Sequence, residues 1–234
     1  MPHNPTPEER LIVALDLPDA ATARDFVTRV GDAASFYKVG LELFMTGEAV
    51  GLIDWLRSRD KQVFVDLKLF DIPATVARAV KRLNGSGARF VTVHGNDGMM
   101  RAAAEAADDI EVLAVTVLTS LDRGDLDDLG FDCDVEQLVL SRAGRAAECG
   151  CAGVVASGVE AEALRAALGD RVLIVTPGIR PVDNREDDQK RMVTVPEAFA
   201  RGADYIVVGR PVRDAADPAA AAAAITAEIR AALG

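Results

Sequence analysis

The sequence predicts a (β/α)8 TIM barrel, an α/β fold closed as a single domain over residues 1–234. Three observations predict it. Short β-branched apolar runs alternate with Ala-rich amphipathic stretches along the whole chain, the pattern of repeated βα units. The runs are apolar at consecutive positions, as parallel strands covered on both faces should be. Polar residues gather where those runs end: Asp16, Lys38, Asp66, His94, Thr119, Pro177 and Arg210 each fall at or just beyond the C-terminal end of a run. Barrel sites are built at that end, from several strands at once. A doubly wound sheet would concentrate its signal in one early glycine turn, and no G-x-G-x-x-G follows the first run.

The elements follow in order. Residues 1–9 are polar and Pro-rich, expected to form a tail, and they lack the apolar stretch of a secretory signal. The run at 11–16 (LIVALD) is the first strand, with a helical pattern at 19–31. FYKVG at 36–40 is the second, followed by helical periodicity at 46–59. QVFVD at 62–66 is the third, and Pro73 suits the first turn of a helix at 74–86. RFVTVH at 89–94 precedes a helix at 97–107, and EVLAVTVL at 111–118 precedes one at 136–149. AGVVA at 152–156 leads to 159–168, VLIVT at 172–176 to 195–201, and DYIVVG at 204–209 to 218–232. The alanine run at 219–224 looks low in complexity, but Asp217-Pro218 ahead of it reads as an N-cap and first turn. No linker is long enough to divide the chain.

Composition narrows the function. The 26 Lys and Arg stand against 37 Asp and Glu, a formal net charge of −11. Such a surface repels phosphate backbones and anionic lipid, so neither a nucleic acid nor a membrane surface is an expected partner. Half the residues are hydrophobic and 27% are charged, which excludes disorder. A chain of this length buries roughly 70–75% of its unfolded surface and needs no disulfide or structural metal to fold. Cys133, Cys149 and Cys151 form no even framework, which fits a reducing, cytoplasmic setting. With only His3 and His94, a zinc site of the usual histidine-based kinds cannot be assembled. No apolar run approaches the ~20 residues of a membrane span.

The stretch from Asp66 to Thr75, DLKLFDIPAT, carries the most chemical information. Strand alternation places Asp66 and Lys68 on one face of a strand end, aimed at the barrel mouth, with Asp71 just beyond. Lys38 joins them from the neighbouring strand, giving a Lys, Asp, Lys, Asp array. Two opposite charges ~4 Å apart are worth roughly 4 kcal/mol at an effective dielectric of about 20, so an alternating array supports itself. An isolated D-x-K would more simply be a salt bridge. Here Asp16 and Lys38 reach the same level from other strands, and buried charge is costly without a purpose. Elsewhere on the mouth, Gly178 follows strand seven beside Pro177 and Gly209 ends strand eight. Those are the loops where barrels hold phosphate, and Arg210 can add a bidentate contact. The polar stretch 182–191 reads as an exposed loop or a lid over an anion. His94 ends a strand in the mouth, where a structural role is as good a reading as a ligand role.

The motif D-x-K-x-x-D-I-P resembles that of the orotidine 5′-phosphate decarboxylase family. A-L-D at 14–16, Y-K-V-G at 37–40, V-L-T-S at 117–120, P-G-I-R-P at 177–181, D-Q-K-R at 188–191 and V-G-R-P at 208–211 match it in the same order. The resemblance runs from about residue 11 to 212 and is closest to the shorter bacterial type. It implies a carboxy-lyase that converts orotidine 5′-monophosphate to UMP and CO2, the last step of UMP synthesis, with no cofactor and no metal. It implies that Asp16 and Lys38 hold ribose hydroxyls, that Asp66 lies beside the substrate carboxylate and that Lys68 protonates C6. Asp71, with Ile72 and Thr75, would enter the site of a partner subunit, so a homodimer with shared sites is expected. Thr119 and Ser120 would contact the pyrimidine, and Arg180, Gln189, Gly209 and Arg210 the 5′-phosphate. The chain departs from the family pattern at Gly95-Asn96-Asp97-Gly98, where H-A-x-G-G is common after the histidine's position, at Asp187, and at Thr194-Val195-Pro196.

Two other readings stand beside this one. A metal-dependent sugar-phosphate epimerase, aldolase or decarboxylase on a related barrel also carries D-x-K, but would lack Lys38 with Asp71 and the D-Q-K-R segment. A pyrimidine-nucleotide-binding barrel without activity would gain little from keeping Asp66, Lys68 and Asp71.

Overall fold

The computed structural model describes residues 5–179 and 192–234. Eight parallel strands close into a barrel in sequence order. They are β1 (Leu11–Ala14), β2 (Phe36–Gly40), β3 (Gln62–Leu69), β4 (Phe90–His94), β5 (Glu111–Val115), β6 (Gly153–Val155), β7 (Leu173–Thr176) and β8 (Tyr205–Val208). The first and last strands pair through Leu11↔Ile206, Ile12↔Val207 and Val13↔Val208, which closes the sheet. The predicted (β/α)8 barrel is the observed fold, and every predicted strand is present.

Around it lie α1 (Ala20–Val30), α2 (Leu41–Met45), α3 (Ala49–Arg57), α4 (Pro73–Leu83), α5 (Asp97–Ala106) and α6 (Arg123–Asp128). The ring continues with α7 (Val135–Glu148), α8 (Ala161–Leu168), α9 (Val195–Ala200), α10 (Arg210–Arg213) and α11 (Pro218–Leu233). Short α2, α6 and α10 were not expected; all three sit on loops at the C-terminal ends of strands. Caps anticipated from sequence are in place: Pro73 opens α4, and the Asp217 side chain accepts the Ala220 amide at 3.0 Å to start α11. No helix among the described residues is long and apolar enough to cross a membrane.

The uniform apolar runs are explained by two cores separated by one sheet. Ile12, Ala14, Phe36, Phe64, Phe90, Leu113, Val175, Tyr205 and Val207 fill the barrel interior, while their neighbours Leu11, Val13, Tyr37, Val63, Val65 and Val91 pack outward under the helices. Successive side chains on a strand face opposite ways, and here both ways are dry.

The N-terminal stretch departs from a free tail. Pro7–Arg10 form a 3₁₀ turn, Arg10 donates to the carbonyl of Asp204 at 3.1 Å, and Gln62 donates to Glu9 at 3.0 Å. Glu8 accepts from Arg230 of α11. Residues that read as polar in sequence are polar because they tie the strand beginnings to the last helix.

Candidate active site

The C-terminal ends of the strands surround a cavity of about 240 Å³. Of the residues expected in a site, Asp16, Lys38, Asp66, Lys68, Thr119, Pro177, Gly209 and Arg210 line it.

Asp66 is the hub. Both its oxygens accept from the Lys68 ammonium at 2.9 Å, and the Lys38 ammonium lies 3.6 Å from Oδ2. Lys38 also donates to Asp16 Oδ1 at 3.0 Å. The side chains of Asp66 and Lys38 are 11% and 12% exposed, against 39% for Lys68 and 45% for Asp16. The cluster is therefore dry at its centre and wet at its edges, and Lys68 is the ammonium that reaches into the open mouth. Burial alone would raise the Asp66 pKa; the Lys38 and Lys68 charges and the hydrogen bonds from Lys68 and Thr92 outweigh it and hold the carboxyl below its ordinary 3.8.

Neighbouring strands set this spacing. β2 and β3 are in register at Lys38↔Phe64 and Gly40↔Asp66. Gly40 leaves Lys38 its room: a Cβ there would lie 3.0 Å from Lys38 Nζ. Simple alternation does not position Lys68. Its φ is +49°, in the left-handed region, and the β3–β4 register shifts between Val65 and Leu69. A non-glycine residue held there costs of order 1–3 kcal/mol, so surrounding bonds must impose it. Thr92 of β4 supplies them, accepting the Lys68 amide at 2.9 Å and donating to Asp66 Oδ1 at 2.8 Å. Its role was not legible in sequence, where a threonine in a strand is only a good strand former.

Asp71 does not join the array of its own chain. It lies exposed past the end of β3, its Oδ1 accepting the Ile72 amide at 2.6 Å, and it does not line the cavity. The fourth charge of the observed array is Asp16. Ile72 is 65% exposed beside Phe70, and Thr75 lies in the first turn of α4 with its hydroxyl accepting from Arg78. Ser120 is exposed and also off the cavity wall, whereas Thr119 is on it.

Gly178 and Gly209 line the cavity where expected, after β7 and β8, Gly178 with φ +79°. Arg210 opens the four-residue α10. Arg180 and Gln189 lie outside the described residues. Arg213, one turn after Arg210, is a further cavity residue that the sequence reading missed. Its guanidinium grips Asp214 at 2.6 and 3.0 Å and donates to the Asp16 carbonyl at 3.1 Å, tying the β8 end to the β1 end.

His94 packs its ring edge-on to Phe70, with centroids 5.9 Å apart. Burial, then the Arg142 and Lys68 charges, push its pKa below 6.5, which favours the neutral imidazole. Among the described residues, no group of three or more His, Cys, Asp or Glu side chains is placed to hold a metal ion. What the array can do is hold an ammonium proton at the edge of a small cavity, next to a carboxylate fixed in its ionised form.

Comparison with known proteins agrees across the chain. Residues 9–225 match the model of the Orotidine 5′-phosphate decarboxylase / HUMPS family. A relative in Methylococcus capsulatus named Orotidine 5′-phosphate decarboxylase is 63% identical over 223 residues, covering 95% of this chain and 92% of its own length. One of the same name in Stenotrophomonas maltophilia is 53% identical, covering 97% and 95%. The crystal structure of Orotidine 5′-phosphate decarboxylase from Lactobacillus acidophilus superposes with a TM-score of 0.84 at 35% identity, covering 94% of this chain and 99% of that one.

Proposed function

The chain belongs to the Orotidine 5′-phosphate decarboxylase / HUMPS family, and we propose from the geometry of its site that it acts as a cofactor-free orotidine 5′-monophosphate decarboxylase. The observation that carries the reading is the Lys38–Asp66–Lys68 cluster on adjacent strand ends, bordering a cavity that Gly178, Gly209 and Arg210 also line. An anion with a phosphate at one end and a carboxylate at the other fits such a cavity.

The chemistry follows from that arrangement. The bond between C6 and the carboxylate carbon breaks, its electron pair stays on C6, and CO2 leaves. The Lys68 ammonium gives its proton to C6, forming UMP, and regains one from solvent. The developing negative charge meets an ammonium already held in place by Asp66, so little reorganisation is needed at the moment of reaction. Asp16 and Lys38 would position the ribose, Thr119 and Ser120 the pyrimidine, and Pro177, Arg180, Gln189, Gly209 and Arg210 the phosphate end. Phosphate contacts made far from C6 can order the site, so they should affect kcat as well as KM. The reaction would complete UMP synthesis in the cytoplasm.

We assign the chain to a homodimer with shared sites. Phe70 and Ile72 are 68% and 65% exposed on either side of Asp71, and Leu41 and Met45 of α2 add further apolar surface, at 59% and 76%. Apolar surface of this kind beside a mouth is what a second subunit would cover, bringing its own Asp71, Ile72 and Thr75 to the neighbouring cavity.

The test is turnover of orotidine 5′-monophosphate, followed by its ultraviolet absorbance, in the presence of a chelator. Undiminished turnover is expected. Strict dependence on added metal would favour an epimerase-like or aldolase-like barrel instead, and tight UMP binding without turnover a binding protein. Mixing inactive Lys68→Ala and Asp71→Ala subunits should restore part of the activity; no recovery would place Asp71 in the service of its own subunit.

A further inference from the structure

Lys68 and Asp66 stand on an irregular piece of strand. β3 and β4 are in register at Val65↔Val91 and again at Leu69↔Val93, so residues 66, 67 and 68 all lie opposite Thr92. Extra residues of this kind make a bulge, which bends a strand and re-aims a side chain. The positive φ of Lys68 falls within it.

One hydroxyl closes the bulge. Thr92 is fully buried. Its oxygen accepts the Lys68 amide at 2.9 Å, and its single proton goes to Asp66 Oδ1 at 2.8 Å. The Lys68 ammonium completes a ring by donating to both oxygens of the same carboxylate at 2.9 Å. The backbone and the side-chain tip of Lys68 are thus both referred to Asp66, the first through Thr92 and the second directly. Removing the hydroxyl takes away the acceptor of a left-handed residue's amide and a neutral donor to the carboxylate. The bulged path then keeps its flanking register and the Lys68–Asp66 bonds but loses the bond that fixes the Lys68 backbone, so the ammonium loses its fixed height above the cavity.

We propose that Thr92 is a positioning residue for the reaction: its hydroxyl clamps the β3 bulge and so sets where the Lys68 ammonium stands relative to the reacting carbon. The proposal rests on the decarboxylase reading. It concerns kcat, because the proton donor's placement matters when C6 gains charge and hardly at all when product binds.

The experiment compares wild type, Thr92→Val, Thr92→Ser and Thr92→Cys in the chelated turnover assay, with UMP affinity measured on each by calorimetry. Wild-type turnover tests the decarboxylase reading by itself; the ratios between variants test the role of Thr92. Thr92→Val should lower kcat 10- to 100-fold, with UMP affinity within threefold of wild type. Serine and cysteine trim the side chain almost equally but differ in hydrogen bonding, so they separate the hydroxyl from packing even if the valine variant fails to fold. Thr92→Ser should keep kcat within threefold, and Thr92→Cys should fall at least tenfold. Equal losses for serine and cysteine, or a valine variant with kcat within twofold of wild type, would overturn the proposal.

Discussion

The two ends of this barrel use the same kinds of residue for opposite purposes. At the N-terminal ends of the strands, Phe36, Phe64, Phe90 and Tyr205 interlock with ring centroids 5.4–6.1 Å apart. The Arg89 guanidinium lies 4.9 Å from the Phe90 ring centre and 5.3 Å from that of Tyr205, bonded to Gln62 at 2.9 Å and 3.5 Å from Glu111. That cation covers rings and is mostly shielded by its partners. At the C-terminal ends, Lys68 also has a carboxylate partner, but its tip borders a cavity. Phe64 belongs to both regions, sitting in the ring cluster and forming part of the cavity floor. A charge largely covered by its partners contributes to stability; one that borders an open cavity is available for chemistry.

If that division holds, damage to the two ends should separate. The largest expected effect on stability is at the closed end: Phe90→Ala should lower the unfolding free energy by about 3–5 kcal/mol, with kcat per folded molecule within twofold of wild type. Denaturant titration beside an activity assay checks it, and a parallel fall in kcat while the protein is fully folded would break the comparison. Gly40→Ala is the converse. Its backbone, at φ −93° and ψ −177°, suits alanine, while the new Cβ presses on Lys38 Nζ. Stability should stay level or rise by about 0.4–1 kcal/mol from the reduced freedom of the unfolded chain. The value of kcat/KM should fall about tenfold, roughly 1.4 kcal/mol in the transition state. A large loss of stability with normal kinetics would contradict the placement of Lys38.

The smallest contrast concerns acid. The folded-state pKa of Asp66 is below its ordinary 3.8, so the folded protein binds fewer protons there than the unfolded chain. The stabilisation is complete above roughly pH 4 and is lost as pH falls through the folded-state value. Asp66→Asn should flatten the stability curve below about pH 4, read by thermal unfolding across pH. An unchanged slope would mean that the array does not hold that carboxyl ionised.

Most of the barrel could be read from sequence because both faces of its strands are dry, which leaves the unbroken apolar runs of buried parallel strands, repeated between helical stretches. The short helices α2, α6 and α10 escaped because four to six residues show little period, whereas α9, equally short, was legible at 195–201. The site was legible where its charge is unusual: Asp16, Lys38, Asp66 and Lys68 are costly to bury, so their presence at strand ends demanded a reason. Alternation found the right pair for an incomplete reason, since the bulge and the left-handed Lys68 are made by tertiary bonds. Thr92 and Arg213 were missed because each acts through a hydrogen bond to a residue distant in sequence. Asp71 was read from sequence as part of the array, yet within one chain it points elsewhere.

The most direct test of the central claim is kcat for orotidine 5′-monophosphate with Lys68→Ala, measured beside UMP affinity and thermal unfolding on the same preparation. A poised ammonium at the reacting carbon predicts a fall in kcat of roughly 1,000-fold or more, with UMP affinity within tenfold and an unfolding temperature close to that of wild type. A folded Lys68→Ala protein with kcat within tenfold of wild type would contradict it.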